Sequence, residues 1–417
     1  MQKTTICGLL NNFQIFAKTR VMKKQFLILL CFVLLLSVAV SVAQPIYDLS
    51  QIDNGFLTDY EDVQSANKNK IFGNFIKTQL KEKDASVGGQ KAKQGEVVFK
   101  LFGFIPIKKV QVVLSSDELY YVGGVPIGIS INTDGAIVIS DEAGNSCLKE
   151  GDIITHINGT LVNNLEQIQE EVQKCGEEAE IEYLRRNKPL KALLKTYEDD
   201  GKLKLGLWVK DDVSGIGTLT FVNKNSQKYG ALGHPIVEAN SGNIVPITNG
   251  KIYPCNLIGI NKGKKNAPGE LKCVMLSNSK SKGSIESNDK FGIDGVLSDT
   301  SGIVDENLTA HLGGRLGVKM GKASIVSSVS GIREEYEIEI IKASYQKSAD
   351  DKSIIFRVKD KRLLNLTGGI VQGMSGSPIM QDGKIVGAVT HVFLNDPCKG
   401  YGVYVDWMLN KNGNKNK

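Results

Sequence analysis

Hydrophobic and polar positions change rhythm several times along the chain. Phe26 to Ala43 is a run of 18 residues without a charge, preceded by Lys23 and Lys24. A basic cluster, an apolar core and a small-residue end (Ser41-Val42-Ala43) predict an exported segment, as a signal peptide or a membrane anchor spanning residues 1–43. Residues 44–98 are polar and aperiodic, broken by Gly88-Gly89 and Gly95, and predict a spacer with one short helix around Phe72–Leu80. From Val97 onward short apolar runs dominate. Val97–Ile107, Lys109–Leu114, Gly123–Ile131 and Gly135–Ile139 predict strands. Asn164–Cys175 places Leu165, Ile168 and Val172 at helical spacing. Glu180–Tyr183 and Leu190–Leu194 are strand-like, and a boundary falls near residue 198. Beyond it, Leu205–Val209, Gly215–Val222 and many further short runs separated by Gly, Asn and Ser predict a barrel or paired barrels, with no sustained helical period before Val405.

Composition narrows this mainly-β reading. Of 417 residues, 41% are hydrophobic and 23% charged, as in globular proteins. The net charge of +6 is concentrated at the start: residues 1–43 hold five basic and no acidic residues, leaving 46 basic against 45 acidic elsewhere. A near-neutral remainder offers no basic face for nucleic acid. Seven cysteines without a Cys-x-x-Cys give neither a disulfide framework nor a zinc site, and no His-Glu-x-x-His occurs. No metal and no cofactor is expected. Met22-Lys23-Lys24 would be a more usual start for an exported chain than Met1.

Candidate chemistry gathers in Gly368-Gly369-Ile370-Val371-Gln372-Gly373-Met374-Ser375-Gly376-Ser377-Pro378. Small residues around Ser375 allow a sharp turn and close approach of a substrate. They leave the amides of Gly373 and Ser375 free to form an oxyanion hole. The same composition also makes ordinary turns, and Ser377 lies two places on. Only four histidines exist. His156 falls in a strand and reads as structural, His311 sits in a Gly-rich turn, and His391 ends the strand after the serine loop. His234, in Gly230-Ala231-Leu232-Gly233-His234-Pro235, ends a strand at a turn, where a general base requires rigid support.

Several motifs carry resemblances. Leu148-Lys149-Glu150-Gly151-Asp152-Ile153-Ile154, followed by Ile157-Asn158-Gly159 and the Asn164–Cys175 helix, resembles a PDZ domain of the bacterial peptidase-associated kind. That implies a peptide ligand added as a strand beside Val125, Ile127 and Ile129, opposite Ile168. Gly373–Pro378 resembles the nucleophile loop of chymotrypsin-like serine peptidases. It is not the Gly-x-Ser-x-Gly elbow of α/β-hydrolases. Taken with Gly215–Phe221, Tyr229–His234 and Gly387–Phe393, the chain resembles the stage IV sporulation protein B family, the sporulation serine peptidases of endospore-forming Firmicutes, over about residues 97–410.

The resemblance implies a PDZ-like domain with leading strands at residues 99–198 and a chymotrypsin-like double β-barrel at 199–417. It implies Ser375 as nucleophile, His234 as base and Asp360 as orienting acid. Asp360 stands 15 residues before Ser375, between Lys359 and Lys361. Met374 replaces the aspartate that in trypsin-like enzymes receives a freed N-terminus, so control through the PDZ domain is expected. The family implies secretion from the forespore into the space between its two membranes. The implied protein substrates are the chain itself and a membrane-bound regulator of an intramembrane metalloprotease, upstream of sigma factor K. The alternative is a PDZ-containing envelope protein that binds without cleaving.

Overall fold

The computed structural model describes residues 3–409, apart from residues 53, 84–93, 115–117, 143, 145–146, 187, 239–241, 248 and 345–349. The N-terminal segment is one helix, Lys3–Ser50, on which Phe26, Leu27, Ile28 and Leu29 are exposed. Among the described residues no helix is long and apolar enough to cross a membrane.

The spacer expected at residues 44–98 is folded. Phe56–Thr58 runs parallel to Ile105–Leu114, which pairs with Gln94–Leu101, which pairs with Ile76–Lys83. The helix expected near Phe72–Leu80 lies earlier, at Tyr60–Lys68, started by Asp59 accepting from the Asp62 amide. Leu49, Phe56, Val63, Phe72, Leu80, Val97, Phe99 and Val112 form its core. These apolar residues are spread over three separated stretches, so no single window carries a periodic signal. The Gly88-Gly89 pair lies outside the described residues. The strands expected to lead the PDZ-like domain therefore belong to this N-terminal sheet.

The small module that follows has Leu165–Gln173 as its helix, capped by the Asn164 side chain on the Gln167 amide. Ile168 and Val172 enter a core with Val138, Ile154, Ile157 and Ile181. Its strands include the second half of Pro126–Asp141, then Ile153–Ile157, Glu178–Arg185 and Lys188–Lys195. The first half of Pro126–Asp141 does something else. Residues 127–132 are paired on both edges, with Asp212–Gly217 and with Asn249–Pro254. Ile127 and Ile129 are fully buried in a barrel core, and Val125 packs against the same cluster. A peptide groove at Val125, Ile127 and Ile129 is thereby excluded: both hydrogen-bonding edges are taken, and a strand cannot add to them.

The alternating runs past residue 200, joined by Pro126–Asp141, close into two six-stranded rings. In the first, Leu207–Asn223 pairs with Pro126–Asp141, and pairing continues through Asn249–Asn261, Gly283–Asp289, Gly292–Leu297 and Lys228–Ala231 back to Leu207–Asn223. In the second, Gly321–Ser327 is followed by Glu334–Ala343, Ile354–Val358, Lys399–Tyr404, Lys384–Val392 and Pro378–Gln381, which returns to Gly321–Ser327. Closure removes open edges and fills each interior with alternate side chains. One seven-residue helix, Lys361–Thr367, escaped the sequence reading because it is too short to show a period.

Candidate active site

The two rings bring the predicted serine and histidine to one cleft. Lys228–Ala231 ends in Leu232 and Gly233, both left-handed at φ 71° and 74°. This reversal presents His234 at the first ring's rim. The tolerance of Leu232 for that conformation comes from its burial beneath Gly217, where any side chain would collide with it. From the second ring, Gly373 and Gly376 take φ 93° and 99° and set Ser375 at the apex of its loop. Ser375 and His234 line the same cleft, about 740 Å³, with Ile216, Ile236, Val371, Thr390, His391, Asp351 and Tyr401.

The Ser375 loop is tied to the first ring. The Thr218 amide donates to the Ser375 carbonyl (3.0 Å), and Thr218 Oγ1 donates to the Gly373 carbonyl (2.6 Å). Thr220 Oγ1 donates to the Gly376 carbonyl (2.8 Å). With their carbonyls held this way, the amides of Gly373 and Ser375 find no acceptor among the described residues. That is the condition for an oxyanion site. Ser377 is fully buried with its hydroxyl unpartnered among the described residues, so it has no access to a substrate. Met374 is buried in the core of the second ring, which leaves no group there to meet a freed N-terminus.

His234 Nδ1 lies 2.9 Å from the Pro235 carbonyl. A carbonyl only accepts, so Nδ1 carries the proton and Nε2 keeps its lone pair. Burial pushes the imidazole below its usual pKa, opposed by that hydrogen bond, so the ring stays neutral with Nε2 unprotonated. The Ser375 hydroxyl donates to the Thr390 carbonyl (2.8 Å) and must rotate to reach an imidazole.

Asp360 is not at this site. It caps the Lys361–Thr367 helix through the Arg362 amide and is held by the Arg362 guanidinium at 2.8 Å. Arg362 pulls its pKa down, and it faces a different cleft with Glu335, Glu337 and Gln381. An N-cap carboxylate in an ion pair has its lone pairs committed locally, which removes Asp360 as partner of His234. The residue that sequence reasoning passed over is His391. Its ring centroid lies 5.2 Å from that of His234, and its Nδ1 is 3.8 Å from Asp351. The signal available was its position closing the strand that follows the serine loop. His156 and His311 lie elsewhere, beside Thr155 and the Glu118 carbonyl.

A second cleft, about 430 Å³, lies in the small module between the helix residues Leu165, Ile168, Gln169 and Val172 and the segment Leu203–Val209. Leu207–Lys210 pairs on one side with Ile137–Asp141 and has no strand on its other side among the described residues. Ile168 lines this cleft, and the strand opposite is Leu207–Lys210.

Two closed barrels that bring a serine and a histidine to one cleft define a chymotrypsin-like serine peptidase. The chain belongs to the SpoIVB peptidase S55 family, whose model matches residues 201–409, and it is a serine peptidase. No curated protein matches the chain. Among solved structures, the PDZ domain of the SdrC-like protein from Listeria monocytogenes is similar at 22% identity, over 19% of this chain and 90% of that one, with a TM-score of 0.17, a likeness too slight to carry an argument.

Proposed function

We propose that the chain is an endopeptidase in which Ser375 attacks the scissile carbonyl and His234 takes its proton on Nε2. The amides of Gly373 and Ser375 would hold the oxyanion, and His234 would return the proton to the leaving amine before water releases the acyl group. The observation carrying this reading is the convergence of Ser375 and His234, from separate barrels, on one cleft. The Leu207–Lys210 edge and the helix bearing Leu165 and Ile168 would seat an extended peptide and so recruit protein substrates.

Family membership supports finer assignments as proposals. The substrates are the chain itself and a membrane-bound regulator of an intramembrane metalloprotease acting before sigma factor K. The place of action is the forespore intermembrane space. The five basic residues ahead of an uncharged 18-residue run support export or anchoring by the N-terminal segment. The rival, a binding protein without catalysis, draws on the Ser375 hydroxyl being turned to Thr390. Purified protein should hydrolyse an internally quenched peptide, and Ser375→Ala should abolish this. Equal turnover by the two proteins would end the endopeptidase reading.

A further inference from the structure

Removing Asp360 leaves His234 without a carboxylate, and the cleft contains one. Of the described residues lining it, Asp351 is the only acid. It sits where the chain enters Ile354–Val358, and its position between His234 and Ser375 in sequence keeps the order of histidine, aspartate and serine. Resting on the peptidase reading above, we propose that Asp351, acting through His391, is the carboxylate that steadies the imidazolium formed on His234.

Three contacts support it. Asp351 Oδ2 faces His391 Nδ1 at 3.8 Å, and the His391 ring lies against His234 with centroids 5.2 Å apart. Thr390 ties the acid to the nucleophile: its Oγ1 donates to the Asp351 carbonyl (2.7 Å), while its own carbonyl accepts from Ser375 (2.8 Å). Carboxylate, second imidazole, base and serine therefore share one scaffold. At 3.8 Å the carboxylate is not hydrogen-bonded to Nδ1, which has no hydrogen-bond partner among the described residues, so Asp351 acts on this ring through its charge.

The electrostatics agree. Burial and His234 lower His391 to about 4, with Lys352 in the same sense and Asp350 opposing. The second imidazole thus remains neutral beside the base rather than competing as a cation. Burial and Asp350 raise the Asp351 pKa, against Lys352 and Lys290, which makes it a stronger proton acceptor than a solvated carboxylate. When His234 takes the Ser375 proton, the new positive charge lies beside a neutral ring with a carboxylate behind it, in a half-buried cleft where such pairing is less screened. Asp351 is a positioning residue, since it reaches the base only through His391.

The test is kcat and KM for an internally quenched peptide across pH 5–9, using the full chain and Asp351→Asn, Asp351→Glu, His391→Asn, Asp360→Asn and the Asp351→Asn/His391→Asn pair. Asp351→Asn should lower kcat about 10²-fold with KM within about twofold, and displace the acid limb to lower pH, because the imidazolium loses its counter-charge. Asp351→Glu should recover about a tenth or more of native kcat. The double variant should be no slower than the slower single, since the two residues act as a unit. Asp360→Asn should stay within about threefold of native. Near-native kcat in Asp351→Asn, or single losses that multiply in the double variant, would overturn the assignment. If Asp351→Asn does not fold, as read by its thermal transition, Asp351→Glu decides: kcat below about a hundredth of native in a folded protein counts against it. Wild-type turnover no greater than that of Ser375→Ala would instead defeat the peptidase reading itself.

Discussion

Single residues set the chemistry through their surroundings. His234 and His391 are both held neutral by burial, so the acid limb of kcat/KM should lie below the ordinary imidazole value of about 6.5. The stability consequence has a definite sign. An unfolded imidazole takes up a proton near pH 6.5, whereas folded His391 does so only near 4. Its contribution is present above pH 6.5 and is lost as pH falls toward 4. Urea midpoints at pH 7.5 and 5.0 should therefore differ, and His391→Gln should narrow the gap. Gly376 is fixed by geometry: a Cβ there would lie 2.0 Å from the Thr218 carbonyl oxygen, at a φ of 99°. Gly376→Ala must displace the serine loop, and a shift of about 1 Å is enough to cost about 10²-fold in kcat. Native turnover in that variant would mean the loop is not held as described. That Ser375 and His234 sit on turns, from which they meet in one cleft, was legible because glycines and a proline mark sharp turns in any fold. The place of Asp351 in the cleft was not legible, because its neighbours in space come from distant strands, and the lysines flanking Asp360 said nothing of the helix it caps.

At the scale of elements, one strand links both clefts. Leu207–Asn223 walls the groove of the small module at its start and holds the nucleophile loop through Thr218 and Thr220 further along. Thr218→Val should leave the Gly373 carbonyl short of a donor, a loss of about 1 kcal/mol. The expected result is a kcat lowered about tenfold with KM little changed, because the loosened Gly373 carbonyl lies between the two amides proposed to hold the oxyanion. An unchanged kcat would show that the loop is positioned without Thr218. The sequence showed two strands here, Leu205–Val209 and Gly215–Val222, and structure joins them. The gap arose because Lys210, Asp211 and Asp212 are polar and partly exposed where the strand passes between modules, which interrupts the alternation without ending the pairing. The same crossing explains why Val125–Ile129 was misread. A Gly-flanked apolar run reads alike as a binding edge or as a barrel core, and only pairing on both edges decides.

At the scale of the whole molecule, charged and aromatic contacts join the N-terminal sheet to the second barrel. Arg315 is buried between the rings of Phe56 and Trp407, at 4.8 and 4.2 Å, and faces Asp406 at 3.4 Å. Lys384 gathers Asp59 (2.7 Å), Glu61 (3.0 Å) and Asp62 (3.5 Å), and Asp62 also accepts from the Gly314 amide. Asp406→Asn leaves the Arg315 charge buried without its ion-pair partner and should destabilise the fold by about 3–5 kcal/mol in denaturant titration. A change below about 1 kcal/mol would show that the pair contributes little. This union was beyond the sequence, since it joins residues more than 250 positions apart and residues 44–98 show no periodic face. The central claim is that Ser375 is the nucleophile activated across the cleft by His234. It is tested most directly by treating the purified chain with a fluorophosphonate and locating the adduct by mass spectrometry. A single adduct on Ser375, absent from both Ser375→Ala and His234→Ala, is the predicted result. An adduct on Ser377, or hydrolysis that persists with Ser375 unlabelled, would contradict it.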